Sequence, residues 1–224
     1  QAFTNTYAPV QRLRETYEAA LSCPDIAGLS IATRPDCLPP DVLALLEELA
    51  GRTRLWVELG FQTANETTAR LIRRGYPNAV FCEAVRALAA RNIPVVAHVI
   101  LGLPGEGMAN ALRTIDLLNT LPIQGIKLQL LHVLSDSGLA ELYHSGAYTP
   151  LSKETYISMA AACIARLRPD IVLHRLTGDG SARTLLAPLW SLQKRDVLNG
   201  IHKYLRENDI FQGKDWNGAS DKIF

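Results

Sequence analysis

The sequence predicts an α/β protein in which parallel strands are joined by crossover helices. Short β-branched runs alternate along the chain with longer segments of helical periodicity, which is the pattern of strand–helix–strand units. The 224 residues are 48% apolar and 20% charged, which suffices for a large core and excludes a disordered chain. The net charge of +1 gives no indication of a nucleic-acid or membrane partner.

Each predicted element has a local signal. Pro9 favours the first turn of a helix over residues 10–21, Asp41 is predicted to cap a helix over residues 42–50, and Gly51 to end it. The predicted strands cover residues 28–32, 55–59, 95–101, 125–131 and 171–176. Further helices are predicted from residue 65 to the arginines before Gly75 and over residues 78–91, 108–121, 138–144, 152–167 and 197–205.

Polar residues share one face of three neighbouring predicted strands. Alternation places Glu58 with Gln62 on one strand, His98 on the next, and Lys127 with Gln129 on the third. The lumen of a small (β/α) barrel normally holds apolar side chains, so this pattern favours a barrel with an active site over a doubly wound sheet. The alternatives are that these residues line a solvated edge or satisfy one another, for example as a buried ion pair of Glu58 and Lys127.

The segment ILGLPGE at residues 100–106 follows a predicted strand and precedes a predicted helix. Gly102 and Gly105 would let a phosphate group approach backbone N–H groups at the start of that helix. The other interpretation is a tight turn that needs glycine for its backbone dihedral angles.

Several segments occur in one order and spacing that is typical of a known family. They are SIATRPDCL at residues 30–38, WVELGFQT at 56–63, the turn Arg73-Arg74-Gly75, and HVILGLPGE at 98–106. With these segments the sequence resembles radical SAM enzymes, above all the branch of the elongator catalytic subunit and the oxygen-independent coproporphyrinogen oxidases. QAFTNTYAP at 1–9, KLQLLHVL at 127–134, HRLTGDG at 174–180 and APLW at 187–190 extend the resemblance to YhcC-type proteins.

The resemblance implies a partial (β/α)6 TIM-like barrel of the radical SAM type that lacks its first strand and carries a C-terminal helical extension. It implies a barrel core over residues 1–135 and an extension over residues 136–224. Family members bind a 4Fe-4S cluster through a CxxxCxxC-type loop after the first strand. No cysteines here have that spacing, so we expect the cluster ligands upstream of Gln1 and an inactive fragment.

The resemblance also implies the residues that bind S-adenosylmethionine (SAM). Gln62 matches a glutamine that contacts the ribose or methionyl part, and Arg74 matches an arginine that pairs with the methionine carboxylate. His98 stands where relatives often carry Asp for the ribose hydroxyls, which imidazole can also bind. Backbone carbonyls of residues 4–6 would bind the methionine amino group, and Leu101 and Gly102 would offer backbone and apolar surface to the adenine. The implied set is Thr4, Asn5, Thr6, Gln62, Arg74, His98, Leu101 and Gly102.

Other polar residues near the predicted strand ends are candidates for binding the substrate. They are Arg34, Asp36, Glu58, Lys127, Gln129, His132, Arg175 and Asp179. For Arg34 and Asp36, which are two residues apart, the alternative is a mutual bond that locks their loop.

The leading hypothesis is therefore a radical SAM enzyme whose 4Fe-4S cluster cleaves SAM to a 5′-deoxyadenosyl radical. Its partners would be an electron donor and an unknown substrate, either a small molecule or an RNA. The rival hypotheses are a cluster-free (β/α) barrel acting on a phosphorylated metabolite through ILGLPGE and Lys127, and a non-catalytic ligand-binding barrel. No apolar run approaches the length of a bilayer span, and a signal peptide pattern is absent, so we expect a cytoplasmic protein.

Overall fold

A computed structural model describes residues 4–178, 180 and 182–218 of the chain. Its strands are β1 (Gly28–Thr33), β2 (Arg54–Gln62), β3 (Val95–Leu101), β4 (Gly125–Leu130), β5 (Val133–Leu134), β6 (Val172–Arg175) and β7 (Leu185–Ala187). Its α-helices are α1 (Val10–Leu21), α2 (Pro40–Ala50), α3 (Glu66–Leu71), α4 (Asn78–Ala89), α5 (Met108–Asn119), α6 (Gly138–His144), α7 (Lys153–Arg166) and α8 (Lys194–Glu207). Two short 3₁₀ turns cover Pro35–Cys37 and Leu189–Leu192.

Five of the strands form one parallel sheet in the order β1-β2-β3-β4-β6. Each of these strands overlaps a strand predicted from the sequence, and the order along the sheet follows the chain, as in a (β/α) barrel wall. The described strands do not close into a ring, because β1 and β6 remain its two edges. β6 pairs with β4, so the sheet continues past residue 135 into the segment predicted to be an extension.

The apolar face of the sheet is covered by helices. On β2 the side chains of Leu55, Val57, Leu59 and Phe61 are all buried, and Phe61 contacts Phe81 of α4 at a ring separation of 4.4 Å. Removal of this apolar area from water is the main source of stability, about 25 cal/mol for each Å². The alternate residues of β2 consequently face the opposite side, which is the lumen of the partial barrel.

Polar caps fix where two of the helices begin. The side chain of Asn65 accepts hydrogen bonds from the backbone N–H groups of Thr67 and Thr68 at the start of α3. Ser152 does the same for Thr155 in α7. The prediction that Asp41 caps α2 is wrong, because the helix already begins at Pro40, whose fixed φ angle suits the first helical position.

Residues after β4 build a small second layer beside the sheet. The two-stranded antiparallel pair of β5 and β7 packs with α6 around buried Val133 and Tyr148. The hydroxyl of Tyr148 donates a hydrogen bond of 2.8 Å to the carbonyl of Gly102, so this layer is attached to the end of β3. Among the described residues, none of the helices combines the length and the apolar character needed to cross a membrane.

Buried Asn119 at the end of α5 ties the first four strands to the later part of the chain. Its amide donates to the carbonyl of Arg166 at 2.9 Å, and its side-chain oxygen accepts from the backbone N–H of Arg168 at 3.0 Å. Arg166 is the last residue of α7, and Arg168 lies in the connection from α7 to β6. The side chain therefore holds β6 in place beside β4.

We expect Asn119→Ala to lower the free energy of unfolding by about 2 kcal/mol, because it leaves the Arg168 N–H and the Arg166 carbonyl without these partners in a partly buried place. Urea unfolding followed by circular dichroism measures this change. The matched control is Asn208→Ala, which removes an exposed amide that bonds only the preceding helical turn, and it should change stability by less than about 0.5 kcal/mol. Equal effects of the two substitutions would contradict this account of Asn119.

Candidate functional site

A cavity of about 740 Å³ lies at the carboxyl ends of the parallel strands. Gln62 ends β2 on one side, Ile100 and Leu131 mark the ends of β3 and β4, and Arg34 follows β1. Leu139 of α6 belongs to its apolar wall. The cavity has the size of a small-ligand site and lies at the edge where barrel enzymes place their active sites.

Gln62 has an unusual backbone at the cavity. Its φ angle is +64°, in the left-handed region that residues other than glycine rarely adopt. The N–H of Thr63 donates a hydrogen bond of 2.8 Å to the carbonyl of Phe61, which closes a three-residue γ-turn around Gln62. The pairing of β2 with β3 also shifts register between Gly60 and Gln62. Outliers of this kind are concentrated at ligand sites.

The guanidinium group of Arg74 is directed into the protein. Nε donates to the carbonyl of Tyr76, and Nη1 donates to the carbonyls of Phe61 and Thr63, each at 2.9 Å. Nη2 donates to Asn78 at 2.9 Å and to Glu66 at 3.4 Å. These bonds use all five N–H groups of the side chain, which is 2% exposed. The geometry therefore does not support the predicted pairing of Arg74 with a ligand carboxylate.

Arg34 borders the cavity and has hydrogen-bonding capacity left. Its Nε and Nη2 donate to the carboxylate of Asp36 at 2.9 and 2.6 Å, and its plane lies over the ring of Tyr76 at 5.2 Å. This bond lowers the pKa of Asp36 and raises the pKa of Arg34. The mutual bond anticipated for the pair thus forms, while Nη1 has no hydrogen bond within the part of the chain that the structure describes.

Polar residues of four strands meet on the lumen face around Glu58. One carboxylate oxygen accepts from His98 Nε2 at 2.7 Å and from Lys127 Nζ at 2.5 Å, and the other accepts from Ser30 at 2.8 Å. Hydrogen bonds from His98, Lys127 and Ser30 together outweigh burial and hold the pKa of Glu58 well below its ordinary value. The contact of Glu58 with Lys127 was one of the alternatives anticipated from the sequence.

Glu58, His98, Lys127, Ser30 and His174 form a group of polar residues, here called the lumen cluster. Ser30 and His174 were not among the predicted site residues. His174 lies on β6 beside the first residues of β4, and burial lowers its pKa, with Lys127 as the next cause. Gly125 makes room for its ring, because a Cβ there would lie 2.6 Å from the His174 Nε2 atom. Alternation on β1 and β6 would have identified both residues. Gln129 lies one lumen-facing position beyond Lys127 on β4.

The segment of residues 4–6 lies beside β1 and does not border the large cavity. The N–H of Asn5 donates to the carbonyl of Ala32, and the hydroxyl of Tyr17 donates to the carbonyl of Asn5 at 2.7 Å. Thr6 is buried and bonds the hydroxyl of Thr33. The carbonyl of Thr4 accepts from the N–H of Tyr7. A methionine amino group would therefore share these carbonyls with existing donors.

The segment after β3 is a tight turn. Gly102 and Gly105 have φ angles of +87° and +75°, and the N–H of Glu106 donates to the carbonyl of Leu103 at 3.0 Å. The carboxylate of Glu106 accepts from the hydroxyl of Thr63 at 2.6 Å. Leu101 is buried in the hydrophobic core, on the face opposite to the lumen. These features fit the turn interpretation, and the acidic side chain opposes a phosphate in this loop.

The remaining candidates lie beyond β4 and β6. His132 packs against the backbone of Gly178, its Nε2 is buried without a hydrogen-bond partner among the described residues, and burial lowers its pKa. Arg175 ends β6 in register with Lys127. Asp179 lies outside the described residues. None of the described His, Cys, Asp and Glu side chains form a group of three able to hold a metal ion. The described residues therefore do not fit the ligand set of a 4Fe-4S cluster.

Two family models match this chain. The Radical SAM superfamily model matches residues 4–118, and the Radical_SAM C-terminal domain model matches residues 123–207. The chain belongs to the radical SAM superfamily. The boundary between the two matches falls before β4 of this radical SAM chain, although β4 and β6 continue the same sheet.

Relatives of this radical SAM chain confirm its predicted resemblance to YhcC-type proteins. YtqA of Bacillus subtilis (strain 168) is 43% identical over 214 residues, which are 96% of this chain and 66% of that protein. YhcC of Escherichia coli (strain K12) is 36% identical over 211 residues, 94% of this chain and 68% of that protein. The chain thus spans about two thirds of the length of these relatives.

A solved structure has the same fold. The archaeal Methanocaldococcus infernus Elp3 with an N-terminal deletion superposes with a TM-score of 0.72, at 19% identity. The superposition covers 83% of this chain and 43% of that one. It supports the radical SAM type of partial barrel predicted from the sequence.

We expect Glu58→Gln to lower the free energy of unfolding by about 3 kcal/mol near neutral pH, because Lys127 is then buried without a counter-charge. The pKa of Glu58 is lowered in the folded protein, so its stabilising contribution is complete above the ordinary glutamate pKa and declines as the pH falls below it. Urea unfolding at a series of pH values should therefore show the difference between wild type and variant narrowing towards about pH 3.

The matched control is Glu47→Gln, since Glu47 is exposed and pairs with Arg91 at 3.3 Å. This substitution should cost less than about 1 kcal/mol at every pH. If the difference in free energy of unfolding between wild type and Glu58→Gln stays constant from neutral to acid pH, Glu58 is not the charged group that we infer.

Proposed function

We propose that this chain forms the SAM-binding and substrate-facing part of a radical SAM enzyme, which cleaves SAM reductively to begin a reaction on its substrate. The observation that carries the proposal is the cavity of about 740 Å³ at the carboxyl ends of the strands, bordered by Gln62 in its γ-turn and by Arg34. Superfamily membership supports the general chemistry. When bound, SAM supplies the radical that starts the reaction.

Three side chains offer groups that match the parts of SAM. Arg34 presents a free Nη1 edge for the methionine carboxylate, and Gln62 presents an amide that both donates and accepts. His98 uses Nε2 for its bond to Glu58, which leaves Nδ1 as the ring nitrogen that can bond a ribose hydroxyl. The apolar wall that includes Ile100 and Leu131 suits the adenine ring. No described residue is assigned as a ligand of the 4Fe-4S cluster.

Apart from His98, the lumen cluster below the cavity is assigned to the substrate side. His98 lies two residues before Ile100 on the same face of β3, and Ile100 borders the cavity. Glu58 and Lys127, which are close to His98, therefore lie deeper in the lumen than the cavity. A substrate entering from the carboxyl ends would reach this floor past the bound SAM. The partners required are an electron donor for the cluster and a small-molecule or RNA substrate. The phosphate-binding alternative has less support, since Glu106 occupies the only loop proposed for it.

We expect the intact protein, reconstituted with iron and sulfide without oxygen, to bind SAM and to release 5′-deoxyadenosine when reduced. Chromatography of the nucleoside measures cleavage, and calorimetry before reduction measures affinity. Arg34→Ala should raise the dissociation constant for SAM by a factor of about ten or more, because a charge-assisted hydrogen bond is lost. The control Arg52→Ala, which removes an exposed pair with Glu18, should leave the affinity unchanged. Absence of both SAM binding and cleavage in the wild type would refute the proposed function.

A further inference from the structure

The backbone around Gln62 needs external support. A γ-turn whose central residue has a positive φ is the rarer and more strained of the two γ-turn forms. Its hydrogen bond, from the Thr63 N–H to the Phe61 carbonyl, spans only three residues and gives little protection against rearrangement. Strained conformations of non-glycine residues persist where the surrounding structure over-determines them. The neighbouring side chains therefore decide whether Gln62 keeps this conformation.

Arg74 supplies that support through hydrogen bonds to the backbone on both sides of Gln62. A single nitrogen, Nη1, donates to the carbonyls of Phe61 and Thr63, which are the two carbonyls that flank Gln62. Nε holds the carbonyl of Tyr76 at 2.9 Å, and the Tyr76 hydroxyl in turn donates to the carbonyl of Gly60 at 2.8 Å. The Tyr76 hydroxyl also lies 3.4 Å from the side-chain oxygen of Gln62. Both the backbone and the side chain of Gln62 are thus positioned through Arg74.

Gly60 completes the arrangement by leaving space for the Gln62 side chain. A Cβ at Gly60 would lie 2.6 Å from Nε2 of Gln62 and 3.1 Å from the Tyr76 hydroxyl. Any side chain larger than hydrogen at this position would therefore displace the amide. The orientation of Gln62 depends on Arg74, which bonds the backbone on either side of it, and on Gly60, which leaves space for its side chain.

We propose that Arg74 is a positioning residue, which fixes the left-handed turn of Gln62 and acts on a ligand only through the Gln62 amide. This inference rests on the proposed binding of SAM in the large cavity. It assigns Arg74 a role different from direct pairing with a carboxylate, because its five N–H groups are all used within the protein. The planar fork of arginine is needed, since lysine cannot bind two carbonyls and Asn78 in this geometry.

The first test is a double-mutant cycle on SAM affinity in the intact, reconstituted protein. Arg74→Lys and Gln62→Ala should each raise the dissociation constant by a factor of about five, the value of one neutral hydrogen bond. The double variant should bind as Gln62→Ala does, within a factor of about two, because Arg74 has nothing left to position. If Arg74→Lys costs the same factor in both backgrounds, Arg74 contacts the ligand directly and the inference is wrong.

The second test uses the ligand-free protein, so it does not depend on SAM binding. Hydrogen exchange followed by NMR reports on the Thr63 amide, which closes the turn. Arg74→Lys should accelerate exchange of this amide at least about tenfold, and the control Arg70→Lys, which alters an exposed arginine on α3, should not change it. Unchanged exchange in Arg74→Lys would overturn the inference.

If Arg74→Lys fails to fold, Gly60→Ala replaces it in the affinity cycle. It displaces the Gln62 amide without removing the buried charge, so it should weaken SAM binding in the wild-type background and not in Gln62→Ala. An equal loss in both backgrounds would show that the amide position is irrelevant and would contradict the inference. A wild-type protein that does not bind SAM refutes the proposed function, and the exchange measurement then decides the role of Arg74 by itself.

Discussion

Burial of one face of the parallel strands beneath helices is the constraint on which the rest of this structure depends. Because strand side chains alternate, the buried positions Leu55, Val57, Leu59 and Phe61 on β2 force their neighbours towards the lumen. The same rule acts on β3 and β4, so the chain has a continuous polar surface inside an otherwise apolar fold. The carboxyl ends of these strands meet at one edge, where the large cavity lies.

Electrostatics then determines the character of the lumen. Glu58 is 8% exposed, and an isolated carboxylate at that depth would be too costly to remain charged. Donors from three other strands compensate its charge, which keeps it ionised and links the strands. Such a network favours one arrangement of the strands, and it engages Nε2 of His98. The hydrogen bonds of Glu58 therefore both link the strands and orient the polar side chains of the lumen.

Arg34 and Arg74, two of the arginines that line the cavity, show where the sequence pattern and the observed geometry differ. The family resemblance assigned the ligand carboxylate to Arg74, yet its donors are consumed by carbonyls of its own chain. Arg34, which was placed on the substrate side, has the free edge. A sequence lists which guanidinium groups are present near a strand end, but the direction of each depends on turns that are not encoded in periodicity. Here the direction of the Arg74 side chain depends on the positive φ angles of Gln62 and Arg73.

The sequence by itself determined where these five strands lie in the chain, most of their connecting helices and the shared face of Glu58, His98 and Lys127. These follow from local periodicity, which depends only on the burial of alternate residues. Only the tertiary structure decided that β6 joins the sheet, that Ser30 and His174 complete the lumen cluster, and that Arg74 bonds the carbonyls of Phe61 and Thr63 on either side of Gln62. Those features depend on contacts between residues far apart in the chain, whose distances and directions no local pattern contains.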